Sequence, residues 1–460
     1  MTTSPNPTAQ IWLDFEALST EAVDLSPEAI IQAAQLSTQI PHEQRQWQTY
    51  LHALALFGFE QWLEERAIDL NIERDDCSVL HPSQANAIEA VCNLKVNGFN
   101  LCLIATGSLT DEDVTLPRAV VDLPEFIPHF YVLVDVQEEQ ETAVISGFLS
   151  YSQLVERRAN ETLQAEEDWT YQMPLSWFEG EPDSLLLYLR GLEASAIPLP
   201  VIGSEERSMQ LARMRSQLEA LLPQLHSSER QLWQVLTWEQ GAVVLTSPEL
   251  LSWVYQVQSG VRQTSSVEAV SSLAQNLQSH LSDLLQLLTQ PAVNVGRWLW
   301  NELDEFAQEL SWVLLPSLAP AVAMRSPVEE FEAIVMQLRQ TGVEIPLEAR
   351  GAYRDLRFAG MPLRLYAVTW PLLSESIPEW TLLLVLGATP GTNLPPGVQI
   401  RVSDQTGVLV EQVLDAQQRD SYFFTRVIGT WDEKFIVTVG LPSGLKQTLP
   451  PFSFNPEPQS

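Results

Sequence analysis

A chain of 460 residues with 25 basic and 59 acidic side chains, a formal charge of -34, exceeds the usual size of one hydrophobic core and repels nucleic acid and anionic lipid. Its three lysines, Lys95, Lys434 and Lys446, and its arginines are spread along the sequence, so no phosphate-binding face is expected. No run of about eighteen apolar residues occurs, and Met1 to Gln10 lacks the basic and apolar regions of a secretory signal. The expectation is a soluble, cytoplasmic protein that binds neither nucleic acid nor membrane. Three cysteines cannot build a disulfide framework.

Ser26 as N-cap and Pro27 at the first helical position open a helix with Ala29, Ala33, Leu36 and Ile40 on one stripe. A second helix places Trp47, Leu51, Leu54, Gly58 and Trp62 inward and Glu64, Glu65 and Arg66 in water. Asn97-Gly98 is a strong hairpin signal. A two-residue turn there pairs Val96 with Phe99, Leu94 with Leu101 and Cys92 with Leu103, which sends Cys92 and Cys102 to opposite faces. A connection from Leu116 to Pro128 leads to a second hairpin, His129 to Gln137 with Thr142 to Ser150, and a helix follows at Pro182 to Leu192. Helices leading strands predict an α+β N-terminal domain, residues 1–195, with helices on one face of an antiparallel sheet.

Pro198, Pro200 and Gly203 mark a boundary in Ser195 to Ser204. A helical middle region, residues 205–341, is expected beyond it. Leu211, Met214, Leu218, Leu221 and Leu225 form one stripe, and Ser247-Pro248 opens a helix towards Gln258. Val270, Ala274, Leu277, Leu281, Leu284 and Leu288 alternate steps of four and three, and after Pro291 so do Leu299, Leu303, Phe306, Leu310 and Val313. That pattern predicts an antiparallel helical pair, with Val270 to Leu288 also a candidate contact between copies of the chain. Ser326-Pro327 starts a last helix with Phe331, Ile334, Val335 and Leu338 inward, and Gly342 stops it.

From residue 342 to 460 the signals are those of strands. Trp380 to Leu386 reads as a strand buried on both faces, Val398, Ile400 and Val402 alternate with polar residues, and Asp404 to Gly407 is a turn. Tyr422 to Ile428 and Phe435 to Val439 add two more. Six or seven strands without a helical pattern predict an all-β, sandwich-like C-terminal domain.

Three stretches, Tyr50 to Glu65 (YLHALALFGFEQWLEE), Leu116 to Gly147 (LPRAVVDLPEFIPHFYVLVDVQEEQETAVISG) and Pro174 to Leu192, resemble the N-terminal region of a cyanobacterial family, the domain of unknown function 1822. The run from Leu394 (LPPGVQIRVSDQTGVLVEQV) through Trp431 to Gly440 (WDEKFIVTVG) is similar to that family's C-terminal part. The resemblance rests on patterned strands and loops and implies no activity or ligand.

Reactive signatures are missing: no phosphate loop, no Gly-x-Gly-x-x-Gly, no nucleophile elbow and no His-Glu-x-x-His occurs. Cys77 and His81, four apart, are read as a surface turn before a ligand pair, because a zinc site takes four ligands. Asp111 to Asp113 and Glu166 to Asp168 lack calcium-loop spacing and read as solvated charge. Trp169, Tyr171, Trp177 and Phe178 either line a groove or close a core. Arg350, Arg354, Arg357 and Arg364 concentrate positive charge and form a candidate interaction patch. The functional expectation is a non-enzymatic binding or regulatory protein without cofactor, its C-terminal β domain recognising another protein. The alternatives are an enzyme with its site near His81 or His129, and an assembly subunit.

Overall fold

The computed structural model describes residues 22–107, 112–178, 180–226, 230–263, 267–316, 334–336, 338, 342–358, 361–372, 377–388, 394–415 and 422–457, with side chains 261–275 and 361 excepted. The chain divides into two compact units, one formed by Met1–Ile202 with Ser227–Arg262 and the other by Gly203–His226 with Gln263–Ser460. Segment 1–195 lies in the first unit and 342–460 in the second, while 205–341 is shared between them.

In the first unit the expected N-cap holds: Ser26 accepts from the Ala29 amide at 3.1 Å and opens α1 (Pro27–Thr38), which buries Ala33. Helix α2 (Glu43–Arg66) buries the unbroken run Leu51 to Phe59, although Trp47, expected inward, is 49% exposed. A Cβ on Gly58 would sit 2.4 Å from the Ala143 Cβ, so glycine is what lets α2 lie on the sheet. That sheet comprises β1 (Val23–Asp24), β2 (Ile72–Glu73), β3 (Val91–Val96), β4 (Phe99–Thr106), β6 (Phe130–Gln137) and β7 (Thr142–Ser150) in the order β1-β7-β6-β4-β3-β2. Helix α3 (Pro82–Ala85) precedes β3.

Two expectations about this sheet are corrected. It is mixed and not antiparallel, because β4 and β6 run parallel. Parallel neighbours need a crossover, and the segment read as a plain connection supplies it with β5 (Asp113–Pro117) and α4 (Arg118–Asp122). The hairpin at Asn97-Gly98 keeps Val96 opposite Phe99 and Leu94 opposite Leu101, but Val91, not Cys92, faces Leu103. Asn93 at φ 62° makes a bulge in which Cys92 and Asn93 together oppose Cys102, so the two cysteines share a face. Cys77, Cys92 and Cys102 are buried free thiols.

The second hairpin, β6 with β7, forms as expected. Ser150 and Gln153 then build a capping box for α5 (Tyr151–Asn160). Strand β8 (Thr170–Pro174) pairs antiparallel with β5, and α6 (Pro182–Gly191) covers the sheet through Leu185, Leu186 and Leu189. After α7 (Ser204–Leu221), which belongs to the second unit, the first unit resumes with α8 (Trp238–Leu245) and α9 (Pro248–Gln263). Asn86 donates to Gln258 at 2.7 Å and the Tyr255 hydroxyl to the Gln39 carbonyl at 2.9 Å, tying α9 to the N-terminal helices.

In the second unit α10 (Val267–Thr289) is the long helix that the heptad-like pattern predicted. Its expected partner is not a helix. Val293–Asn294 is a strand, β9, followed by a 3-10 turn at Val295–Trp300, the five-residue α11 (Glu305–Glu309) and β10 (Val313–Leu314). Asn301 in the left-handed region ends the 3-10 turn, and Asp304 accepts from the Asn294 and Ala307 amides at 2.6 and 2.5 Å, starting a new helix instead of continuing one. The stripe Leu299, Leu303, Phe306 and Leu310 therefore packs on the β core, and α10 packs on α7. Leu281, Leu284, Leu285 and Leu287 of α10 are buried within this unit, while Val270 and Ala274 lie among side chains outside the description.

Strands β11 (Arg350–Phe358), β12 (Met361–Leu372), β13 (Glu379–Ala388) and β16 (Tyr422–Thr430) join β10 in an antiparallel sheet of order β10-β11-β12-β13-β16. Strands β14 (Gln399–Asp404), β15 (Gly407–Val413), β17 (Ile436–Gly440) and β18 (Lys446–Thr448) form a second, of order β15-β14-β17-β18. Leu365, Ala367, Leu382 and Leu384 from the first sheet share one core with Ile400, Val402, Val437 and Val439 from the second. The far face of the first sheet, through Tyr366, Val368, Leu383 and Val385, is covered by Ile334, Val335 and Leu338, which explains why β13 reads as continuously apolar. Gly342 takes φ +88° as a helix stop requires, whereas Ser326, Pro327 and Phe331 lie outside the described residues. Strand β19 (Phe452–Ser453) pairs parallel with β9. No described helix is long and apolar enough to cross a membrane.

Candidate ligand cavity

The four arginines expected to form a patch divide between the two faces of β11 and β12. Arg350 and Arg354 fall on the side of Ala352, Leu356 and Phe358, which enter the core, and Arg350 donates to the Leu347 and Ala349 carbonyls. Arg357 lies on the other side with Asp355, whose carboxylate takes Arg364 at 2.7 Å while that guanidinium sits 4.9 Å from the Tyr353 ring centre. The structure brings Arg364 and Asp355 together as an ion pair and does not assemble one basic face. His81 lies 2.6 Å from the Asp75 carbonyl, and Nδ1 of the buried His129 accepts from the Asn100 amide at 2.8 Å. Cys77 is buried and His81 exposed. Among the described residues no group of three His, Cys, Asp or Glu gathers as a metal site, and Asp111 lies outside them.

Trp169 separates from the other aromatics singled out with it. Tyr171, Trp177 and Phe178 are core residues, whereas half-buried Trp169 lines a cavity of about 250 Å³ in the first unit. The turn that presents it is built locally. Asp168 Oδ1 accepts from the Thr170 amide at 3.2 Å and from its hydroxyl at 2.6 Å, and the Trp169 carbonyl accepts from the Arg118 amide at 2.8 Å. Trp169 itself sits at φ 64°, a region bulky side chains avoid, so the surrounding turn holds the indole there against local preference. Gly241 makes room for it: a Cβ there would stand 2.0 Å from the ring.

Trp233 and Trp238 complete the aromatic lining. Trp238 meets Trp169 edge to face at 5.5 Å, and the Arg118 guanidinium lies 4.3 Å from the Trp238 ring centre. Arg118 is held by Asp122 at 2.8 Å, and Asp122 also binds Arg158 and the Tyr171 hydroxyl.

The polar lining centres on Arg45, which is only 9% exposed. Helix α2 carries it in its first turns, and its guanidinium pairs with Glu89 at 3.2 Å and donates to Gln231 at 2.9 Å, an oxygen that also takes the Trp233 indole N–H. Burial pulls the Arg45 pKa down and Glu89 pulls it back up. Nη1 of Arg45 and Oδ1 of Asn86 are buried without a protein partner, and both residues line a small adjoining cavity of about 10 Å³. Two helical turns along α2, His52 is held down to about 4 by burial and, secondly, by Arg45. Gln44 and the carboxylates of Glu89 and Asp168 finish the wall. Indoles beside a few planar polar groups are the usual lining of a small-molecule site.

Of these residues sequence reasoning singled out Trp169 as lining a groove or closing a core and read Asp168 as solvated charge, and it missed Arg45, Gln231, Trp233 and Trp238. Arg45 sits in the polar run Gln44-Arg45-Gln46, where nothing distinguishes it from a solvated turn, and Trp233 and Trp238 come from a segment some sixty residues beyond Trp169.

The model of a family described as "Protein of unknown function (DUF1822)" matches residues 23–448, and the chain belongs to that family. No curated protein and no solved structure matches it.

Proposed function

We propose that this member of the DUF1822 family is a non-enzymatic, cytoplasmic binding or regulatory protein that holds a small molecule in the cavity of its first unit. The observation that carries the reading is the combination at one place of a nine-tenths buried arginine, three tryptophans and a tryptophan backbone held at positive φ. Such strain persists where the surrounding structure over-determines it, and ligand clamps are among those places. Against the enzyme alternative stand the histidines named for it, since His81 and His129 are engaged by backbone groups. The test is a thermal-shift screen of small metabolites on the wild type and on Ala87→Phe, which puts a ring into the cavity lining. Compounds that stabilise the wild type and not the variant support the proposal. A screen in which every stabilising compound acts equally on both refutes it.

A second reading concerns the second unit as a sandwich-like, protein-recognising module. β15 lies at a sheet edge and exposes Val408, Leu409 and Val413. An exposed edge strand with apolar side chains is what strand addition uses. Val408→Lys with Val413→Lys is predicted to abolish capture of a protein partner, and a partner retained at full yield by that double variant excludes β15 as the contact.

A further inference from the structure

We infer that the ligand of the first unit's cavity is an uncharged polyhydroxylated ring, a mono- or disaccharide. The inference rests on the ligand-cavity reading above. Charge decides against the other classes. The lining contains one guanidinium, already paired with Glu89, and a second carboxylate, Asp168, in a chain of net charge -34, so an anion meets repulsion. An organic cation has to compete with Arg45 for Glu89, and with Arg118, which already lies 4.3 Å from the Trp238 ring centre.

A neutral ring of hydroxyls fits both parts of the wall. Each hydroxyl donates one hydrogen bond and accepts two, so it answers the Glu89 and Asp168 carboxylates as donor and the Gln44 and Gln231 amides and Arg45 as acceptor. The C–H faces of the ring pack on the indoles of Trp169 and Trp233, surfaces that are apolar in the middle and polar at one edge. The cavity, about 250 Å³, lies near the lower end of small-molecule sites.

The test is calorimetric and fluorescence titration of the full chain with glucose, trehalose and sucrose, and with tetramethylammonium and benzoate as cationic and anionic probes. The expected result is binding of at least one sugar with a change in tryptophan emission. It should weaken by a factor of about two to ten in Trp233→Ala, the loss of one aromatic contact, and vanish in Ala87→Phe, circular dichroism showing both variants folded. Binding of tetramethylammonium or benzoate that Ala87→Phe abolishes, with no sugar bound, overturns the saccharide assignment and leaves the cavity a ligand site. Sugar binding that persists unchanged in both variants overturns the assignment by placing the sugar elsewhere. Silence of all five probes also overturns it, and the metabolite screen then decides separately whether the cavity reading falls too.

Discussion

His52 gives a sharp test of how the first unit tolerates a buried arginine. Arg45, Thr49 and His52 follow one another along a face of α2, all buried, and the imidazole stays neutral because burial, then Arg45, hold its pKa down to about 4. In the unfolded chain it titrates near the ordinary histidine value of about 6.5. Above that value the two states bind the same number of protons and the histidine adds no pH dependence. As pH falls from 6.5 towards 4 the unfolded state takes up a proton that the folded state refuses, so stability falls, by about 3 kcal/mol in all. Urea unfolding of the wild type and His52→Gln between pH 7 and pH 4 isolates this part, because His129 and His280, which burial shifts in the same direction, are present in both. The wild type should lose about 3 kcal/mol more than the variant over that interval. Parallel stability curves would refute the claim that His52 is held neutral.

Gly241→Ala drives a methyl into Trp169, and the overpacking should cost about 1–3 kcal/mol and change the near-ultraviolet dichroism of the tryptophans; an unaltered spectrum at unaltered stability contradicts the packing described. In the second unit Asp283 is buried against Arg401 at 2.7 Å and Ser403 at 3.0 Å. Asp283→Asn leaves that guanidinium without its counter-charge and should cost about 3–5 kcal/mol in urea unfolding, while a cost below 1 kcal/mol shows the pair to be well solvated. Burial pushes the Cys77 and Cys92 thiols up to about 12 and about 11, and Cys102 above the ordinary range. All three should resist a thiol reagent at pH 8 in the native chain and react once urea is added, and rapid native labelling of any of them contradicts the burial.

Much of the fold was legible where one rule acts alone. The Ser26-Pro27 start of α1, the β6–β7 hairpin and the apolar run of β13 follow from capping, alternation and two-faced burial. The errors arose where tertiary structure overrides a local pattern. Nothing in Val91 to Val96 announces the bulge at Asn93, and one added residue carried Cys92 to the face of Cys102. Leu299 to Val313 keeps helical spacing, yet Asn301 and Asp304 break it into short pieces that pack on strands. Of the cavity only Trp169 drew attention in the sequence, as a groove or core residue, because a site assembled from α2, the turn before β8, Trp233 and α8 has no contiguous signature.

The most direct test of the central claim is a crystal structure of the full chain grown with the tightest compound from the metabolite screen. The account predicts density for that compound in the cavity between Trp169, Trp233 and Trp238, within hydrogen-bond distance of Gln231 or Glu89. Density for the compound at another place, with the three indoles closed on one another, would contradict it.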